Sequence, residues 1–371
     1  MKKIHINLEK AVDLSYDITI GNGIFADTIN SYLNNLSPSK IAVVTDSNID
    51  NIYGDFLNDI FKEFSCVKAV FPAGEENKKM DTIMSLFSQL AQANLDRKSL
   101  MIAFGGGVTG DMAGFLASIY MRGIPFIQVP TSLLAMVDSS VGGKTGVDTP
   151  EGKNLAGAFY QPQSAIIDVG FLTTLPEIEF INGLAEIIKH SFIKSRDYFG
   201  FLSSNKDKIL RKDEEILIQV IEKSCGIKAR VVELDEKEAG LRQILNFGHT
   251  IGHAIENASD YKIPHGFSVA LGMVAEAYIA VEKAGLKKSI FDIIVDTLKK
   301  FELLRFLPDI KSINKEKIRS SLFMDKKNKS GKINIVLLED IGNVFDKDGK
   351  FSFSVSVDEI DKALDYIKEL S

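Results

Sequence analysis

Three of the five histidines, His249, His253 and His265, fall within one stretch, Arg242 to Gly266, RQILNFGHTIGHAIENASDYKIPHG. Imidazoles bind transition metals and move protons near neutral pH. Two histidines four residues apart on a helix can grip a metal from one side, and a third ligand from elsewhere leaves a coordination position open for chemistry. Spacing alone nominates His249 and His253 as the first pair. A lone histidine would read as a hydrogen-bonded core residue, but three within 17 residues favour a ligand set. If the helix runs from Asn246 onward, Asn246, His249 and His253 share one face, and Ile251, Ala254, Ile255 and Ala258 form the opposite, apolar one. Gly248 and Gly252 each cost such a helix about 1 kcal/mol relative to alanine, so a ligand or another helix approaches that backbone.

A second set of residues suits phosphate chemistry. Gly105, Gly107 and Gly110 satisfy GxGxxG directly after the apolar run SLMIAF, an arrangement that lets backbone amides approach a pyrophosphate at a helix N-terminus. Tight packing explains such a motif equally well. The acidic residue expected about 20 positions later is missing, because that region reads Arg122-Gly123-Ile124-Pro125, and Asp46 becomes the candidate for holding a ribose. Gly143-Lys144-Thr145 imitates the end of a Walker A loop, but its first glycine would fall on Asp138, which excludes that reading. There remains a small-residue loop carrying Asp138, Lys144, Lys153 and Asn154, whose plain interpretation is solvated surface. Glu186 and Lys189, three apart on the amphipathic stretch GLAEIIKHSFI, read in isolation as a surface ion pair worth a few tenths of a kcal/mol.

The elements that must position these groups follow from periodicity. Alternation through Ile4, Ile6 and Leu8 and then Tyr16, Ile18 and Ile20, with the turn Gly21-Asn22-Gly23, predicts a hairpin-like edge. Short apolar runs at KIAVVT, Val67–Phe71, SLMIAF, FIQVP and SAIIDV predict buried parallel strands, with helices at 52–64 and 80–94 between them. Past Leu175-Pro176 the pattern turns almost wholly helical, with a short strand at 333–338. A chain of 371 residues, 45% hydrophobic and 25% charged, has material for two domains of ordinary globular type. Its net charge of -6 argues against nucleic acid as the main partner. The start, MKKIHINLEK, lacks a signal-like apolar core, no run of about 18 apolar residues occurs, and Cys66 and Cys225 form no CxxC pair, so a cytoplasmic location is expected.

Taken together, NFGHTIGHAIE, HGFSVALGM, GLAEIIKH, GGGVTGDMAGFLASIYMRG, VPTSLLAMVDSSVGGKTGVD and MDKKN strongly resemble the 3-dehydroquinate synthases, with every motif in order from near residue 40 to about 340. That resemblance implies an α/β N-terminal Rossmann-like NAD-binding domain, residues 1–174, and a mostly α-helical C-terminal domain, residues 175–371, with the active site between them. It implies conversion of 3-deoxy-D-arabino-heptulosonate 7-phosphate (DAHP) to 3-dehydroquinate and phosphate by transient NAD oxidation, phosphate elimination, re-reduction and intramolecular aldol closure. The divalent metal, zinc or alternatively cobalt, would be held by Glu186, His249 and His265, whereas His253 would contact substrate and relay protons, which revises the pairing suggested by spacing. Asp46, Asn48, Glu75, Lys78, Gly106, Gly107, Val108, Asp111, Thr131, Ser132, Lys153 and Thr174 fall where the family contacts NAD, with Asp138 and Lys144 shared between cofactor and substrate. Ser132, often threonine in the family, keeps the hydroxyl.

Asn154, Lys189, Lys228, Arg242 and Asn246 fall at substrate positions, joined by Lys326 and Lys327 and by Arg122, which a neighbouring subunit would supply in a homodimer. A pocket for a phosphate and a carboxylate gives a globally acidic chain a reason to concentrate cations. Three rivals share parts of the pattern. Other sugar-phosphate cyclases act on substrates without the carboxylate that Lys228, Arg242 and Asn246 suit. A polyol dehydrogenase of the glycerol dehydrogenase type would accumulate NADH, and a non-catalytic NAD-binding regulator has no use for the cationic set.

Overall fold

The computed structural model describes residues 13–238, 240–324 and 333–370. Ile4, Ile6 and Leu8, and the loop with Lys326 and Lys327, lie outside the described residues. The first half carries eight strands, β1 (Asp17–Gly21), β2 (Ile41–Asp46), β3 (Cys66–Phe71), β4 (Leu100–Gly105), β5 (Phe126–Pro130), β6 (Lys144–Thr149), β7 (Gly152–Phe159) and β8 (Ser164–Asp168). Six of them form one parallel sheet in the order β1-β8-β5-β4-β2-β3, and β6 and β7 form a separate antiparallel hairpin. The inner strands β4 and β5 are buried along their whole length, which is why they read as unbroken apolar runs. Helices α1 (Phe25–Leu36), α2 (Ser47–Phe61), α3 (Met80–Gln92) and α4 (Gly107–Ile119) connect the strands.

The Gly21–Gly23 turn does not close a hairpin among the described residues, and the Ile4, Ile6 and Leu8 arm of the expected edge lies outside them. β1 pairs in parallel with β8, and the Gly21–Gly23 turn leads into α1. Asp168, at the end of β8, explains this: its carboxylate accepts hydrogen bonds from the amides of Gly23 (2.8 Å) and Phe25 (3.0 Å), so the turn is tied to the sheet rather than folded on itself. The chain runs outward from β2 to β3 and then returns to place β4 on the other side of β2. The strand order therefore reverses between the ends of β2 and β4, where open α/β sheets bind their ligands.

Pro176 begins α5 (Glu177–Lys194), at the point where the sequence pattern changes. There follow α6 (Arg196–Ser204), α7 (Lys206–Leu210), α8 (Glu214–Leu234), a 3-10 segment at Leu241–Asn246, α9 (His249–Ala258), α10 (His265–Lys283) and α11 (Lys288–Lys300). Every residue of α5 from Phe180 to Ile193 is buried. The surface-pair reading of Glu186 and Lys189 is thus overturned, because the helix runs through a core shared with the sheet, in which Phe104 and Ile127 belong to the same buried cluster as Ile187, Phe192 and Phe267.

The helix carrying two of the histidines begins later than the spacing implied. Gly248 adopts a left-handed conformation (φ 79°) that separates the 3-10 segment from α9, so Asn246 is not on the face of α9. Of the two neighbours open to Gly248 and Gly252, the one present is a helix. A Cβ on Gly272 of α10 would lie 1.9 Å from the Gly248 carbonyl oxygen, and one on Gly252 would lie 2.8 Å from the Ser268 carbonyl oxygen. The buried Glu276 completes this crossing by accepting the Gly248 amide at 2.8 Å. Gly272→Ala is expected to cost about 1–3 kcal/mol in urea unfolding through overpacking. Gly226→Ala, on an exposed face of α8 with open space around the added carbon, is expected to gain about 0.5–1 kcal/mol.

Candidate active site

Glu186 is fully buried near the middle of α5. One of its carboxylate oxygens pairs with the Lys189 ammonium one turn on, and the other, Oε1, has no hydrogen-bond partner. His249 Nε2 lies 3.5 Å from that Oε1 atom. His249, His253 and His265 stack about one point, with ring centroids 5.2, 5.4 and 5.5 Å apart and candidate ligand atoms all within 4.8 Å of one another. His249 and His265 each have Nδ1 beside an oxygen, the Phe247 carbonyl and the Glu256 carboxylate respectively, both at 3.2 Å. An Nδ1–H that donates there leaves Nε2 as the lone-pair nitrogen, the form in which histidine binds a metal. A buried anion with an unpartnered oxygen beside three imidazoles is a site that fits a divalent cation. His190, the neighbour of Lys189, is by contrast an ordinary core histidine, hydrogen-bonded to Ser224 at 2.7 Å and held neutral because burial pushes its pKa far down.

Cations line the adjoining space. Lys189 and Lys228 are buried, and Lys228 pairs with Asp138, whose residues 135–139 form a π-helical turn that aims the carboxylate at α8. Burial alone would raise the Asp138 pKa, but the charges of Lys228 and Lys189 and the Lys228 hydrogen bond hold it well below the usual carboxylate range. Arg242 is buried in the 3-10 segment, where burial depresses its pKa while Glu238, Asp138 and Asp235 act the other way. Its backbone amide donates to Asp235 at 2.9 Å and its guanidinium to the Glu236 carbonyl. Lys144 and Asn246 converge on one carboxylate, Glu238, with the Asn246 amide donating at 2.7 Å. Arg122 joins none of these contacts. It is exposed on the turn after α4, where Met121, Arg122 and Gly123 all have positive φ.

The positions expected to contact a dinucleotide gather at the reversal of strand order. Asp46 ends β2 and caps α2, accepting from the amides of Asn48 (2.9 Å) and Ile49 (3.1 Å), and its other oxygen accepts from Thr109 at 3.3 Å. Gly106 and Gly107 open α4 on the other side of this crevice, followed by Val108 and Asp111, with Thr131 and Ser132 just past β5. The packing reading of the glycine motif holds for two of its members, since a Cβ on Gly105 or Gly110 would strike Thr109 (2.5 Å) or Gln128 (2.7 Å). Gly107 keeps more room, 3.2 Å from Ser139. Lys78 is buried and donates to Asp111 (2.6 Å) and to the side chain of Asn154 (2.7 Å), which itself sits at φ 53°. Thr174 is paired with Tyr53 at 2.7 Å. Lys153 on β7 reaches Glu256 at 3.0 Å and Glu75 at 3.7 Å.

Comparison with known proteins decides what this arrangement belongs to. Residues 68–182 match the family model described as 3-dehydroquinate synthase N-terminal, and residues 183–328 match 3-dehydroquinate synthase C-terminal. The 3-dehydroquinate synthase of Thermodesulfovibrio yellowstonii is 42% identical over 367 residues, 98% of this chain and 99% of that one. The chain belongs to the 3-dehydroquinate synthase family. Among solved structures, the 2-epi-5-epi-valiolone synthase of Streptomyces hygroscopicus with NAD+ and Zn2+ bound superposes with TM-score 0.88 at 25% identity, covering 99% of this chain and 100% of that one. A 2-deoxy-scyllo-inosose synthase complexed with carbaglucose-6-phosphate, NAD+ and Co2+ gives 0.87 at 26% identity, covering 95% and 96%.

Two carboxylates of this 3-dehydroquinate synthase family member escaped the sequence reading. Glu238 holds Lys144 and Asn246, and Glu256 holds Lys153 and His265. Glu256 lies on the His249 and His253 face at helical spacing, which is the signal that could have found it. Burial would raise its pKa, but the His265 hydrogen bond and the charges of His265 and Lys153 pull it down to about 2. Replacing Lys189 by methionine removes the cation from a fully buried carboxylate. Lys189→Met is expected to lower urea-unfolding stability by about 3–5 kcal/mol in the presence of a chelator. Zinc at a thousand times its dissociation constant is expected to return up to about 4 kcal/mol. A folded Lys189→Met chain that gains no stability from zinc where the wild type does would show that Glu186 is no ligand.

Proposed function

We propose that the chain converts DAHP to 3-dehydroquinate and inorganic phosphate, with NAD at the β2/β4 crevice and one divalent metal ion, zinc or cobalt, held by Glu186, His249 and His265. The observation that carries this reading is the unpartnered Glu186 Oε1 atom beside the imidazoles, at the edge of a set of buried cations. When bound, the metal supplies a Lewis acid for a substrate hydroxyl, and NAD supplies a transient two-electron oxidation that is reversed before product leaves.

The chain's own groups bind, orient and move protons. Lys144, Lys228, Arg242 and Asn246 hold the phosphate and carboxylate of DAHP, and the bidentate guanidinium of Arg242 suits the carboxylate. Asp138 sets the Lys228 ammonium through their ion pair. Lys189 shares its charge between Glu186 and the substrate. His253, exposed at the open side of the imidazole cluster, takes and returns a substrate hydroxyl proton at a ring nitrogen. Asp46, Asn48, Lys78, Gly106, Gly107, Val108, Asp111, Thr131, Ser132 and Thr174 contact the dinucleotide, with Glu75 and Lys153 at its edge, and Asn154, held by Lys78, contacts the substrate. Lys326 and Lys327 add cations for the substrate anions. Arg122, exposed on its strained turn, enters the site of a partner in a homodimer. The division near residue 175 separates the nucleotide half from the metal and substrate half. No helix among the described residues is long and apolar enough to cross a membrane, and we place the enzyme in the cytoplasm.

Phosphate release assayed with DAHP, glucose 6-phosphate and sedoheptulose 7-phosphate tests the reading. Release from DAHP alone is expected, abolished by chelator and restored by zinc, with catalytic NAD and no net absorbance change at 340 nm. Release only from the other two sugars would assign the chain to a different cyclase activity. The division among the histidines has its own test. His265→Ala is expected to lose the metal, whereas His253→Ala is expected to keep it and lose about 100- to 10,000-fold in kcat. Equal metal loss in both, by elemental analysis, would refute it.

A further inference from the structure

Three elements that carry different parts of the site meet at one buried carboxylate. Glu256, near the end of α9, is 7% exposed. Its Oε2 atom lies 3.2 Å from Nδ1 of His265, the first residue of α10, and its Oε1 atom lies 3.0 Å from the Lys153 ammonium on β7. Lys153 is tied to the same corner a second time, with its ammonium 4.4 Å from the ring centroid of Tyr261 in the turn between α9 and α10. That turn is held in an uncommon conformation, with Asp260 and Tyr261 at φ 53° and 59°. Lys153 therefore joins the hairpin of the nucleotide half to the carboxylate behind a metal ligand.

We propose that Glu256 is a positioning residue that orients His265 for the metal and, through Lys153, makes metal and dinucleotide binding reinforce each other. This rests on the function proposed above. The sign follows from competition for one carboxylate. With neither ligand bound, the Lys153 cation draws on the charge that Glu256 offers to the Nδ1–H of His265. When Lys153 turns toward the dinucleotide, that charge goes wholly to the imidazole, which makes Nε2 a stronger donor. Conversely, a cation on His265 polarises its Nδ1–H, draws Glu256 toward the ring and loosens its hold on Lys153. By linkage the two affinities must rise by the same factor. A carboxylate present only to steady the fold has no such reciprocity.

The test measures the zinc affinity of the full chain by competition with a chromophoric chelator, and NAD affinity by calorimetry, each with and without the other ligand. In the wild type each ligand is expected to tighten the other by about fivefold or more, and by equal factors. Glu256→Gln is expected to bind zinc about 10- to 100-fold more weakly and to bring the coupling factor to one. Lys153→Met frees the Glu256 charge as the dinucleotide would, so it is expected to bind zinc about fivefold or more tightly in the absence of NAD and to lose the coupling; this second variant decides the link even if Glu256→Gln does not fold. Zinc binding by a folded Glu256→Gln within threefold of wild type would overturn the positioning role. A wild-type coupling factor of one, or one below one, would overturn the link to Lys153. A wild type that binds neither zinc nor NAD would overturn the function proposed above together with this proposal, whereas binding of both without these effects overturns this proposal alone.

Discussion

A carboxylate with no access to solvent must find a hydrogen-bond donor or a cation for each of its oxygens, and Glu186 finds one within the chain for only one of them. Lys189 supplies that one, one turn along the same helix. The other oxygen faces His249 without a hydrogen bond. Leaving a buried anion half-satisfied costs several kcal/mol if the space stays empty, so a bound cation there contributes stability as well as chemistry. Much of the helical half can be understood as the means of holding that oxygen and the imidazoles in register. α5 is buried on all sides so that Glu186 cannot reach water, and α9 and α10 cross so closely through Gly248, Gly252 and Gly272 that their histidines share one point.

The β6–β7 hairpin plays a different part. It leaves the sheet and carries Lys144, Lys153 and Asn154 to Glu238, Glu256 and Lys78 respectively, so one short hairpin touches the regions proposed for substrate, metal and nucleotide. Several of these contacts are ion pairs between groups that bind ligands in the proposed function. In the unliganded protein such pairs satisfy charges that would otherwise be exposed or buried alone, and exposed ones such as Lys144 with Glu238 are weak enough to be exchanged for a substrate anion.

The sheet was legible because its inner strands are buried on both faces and so become continuous apolar runs, and α2 and α3 followed from their own periodicity. The alternation around β1 was real, but its described partner, β8, lies more than a hundred residues away, and the turn that follows is tied in by Asp168, which local pattern does not encode. Glu186 and Lys189 looked like a surface pair because spacing reports which residues share a face, not what that face meets. The late start of α9 turns on one left-handed glycine. The histidine cluster itself was visible as composition, yet spacing favoured His249 with His253, and three-dimensional proximity gathers all three imidazoles without ranking them. The assignment of His265 and Glu186 as ligands came from motif resemblance, and the geometry adds the Nδ1 contacts of His249 and His265 and the unpartnered Glu186 oxygen in its support.

X-ray absorption at the zinc edge of the metal-loaded chain tests the claim that Glu186, not His253, completes the metal site. A first shell of two imidazole nitrogens with the remaining donors oxygen is the result expected, unchanged in the spectrum of His253→Ala. A three-imidazole shell in the wild type, reduced to two by that substitution, would contradict it.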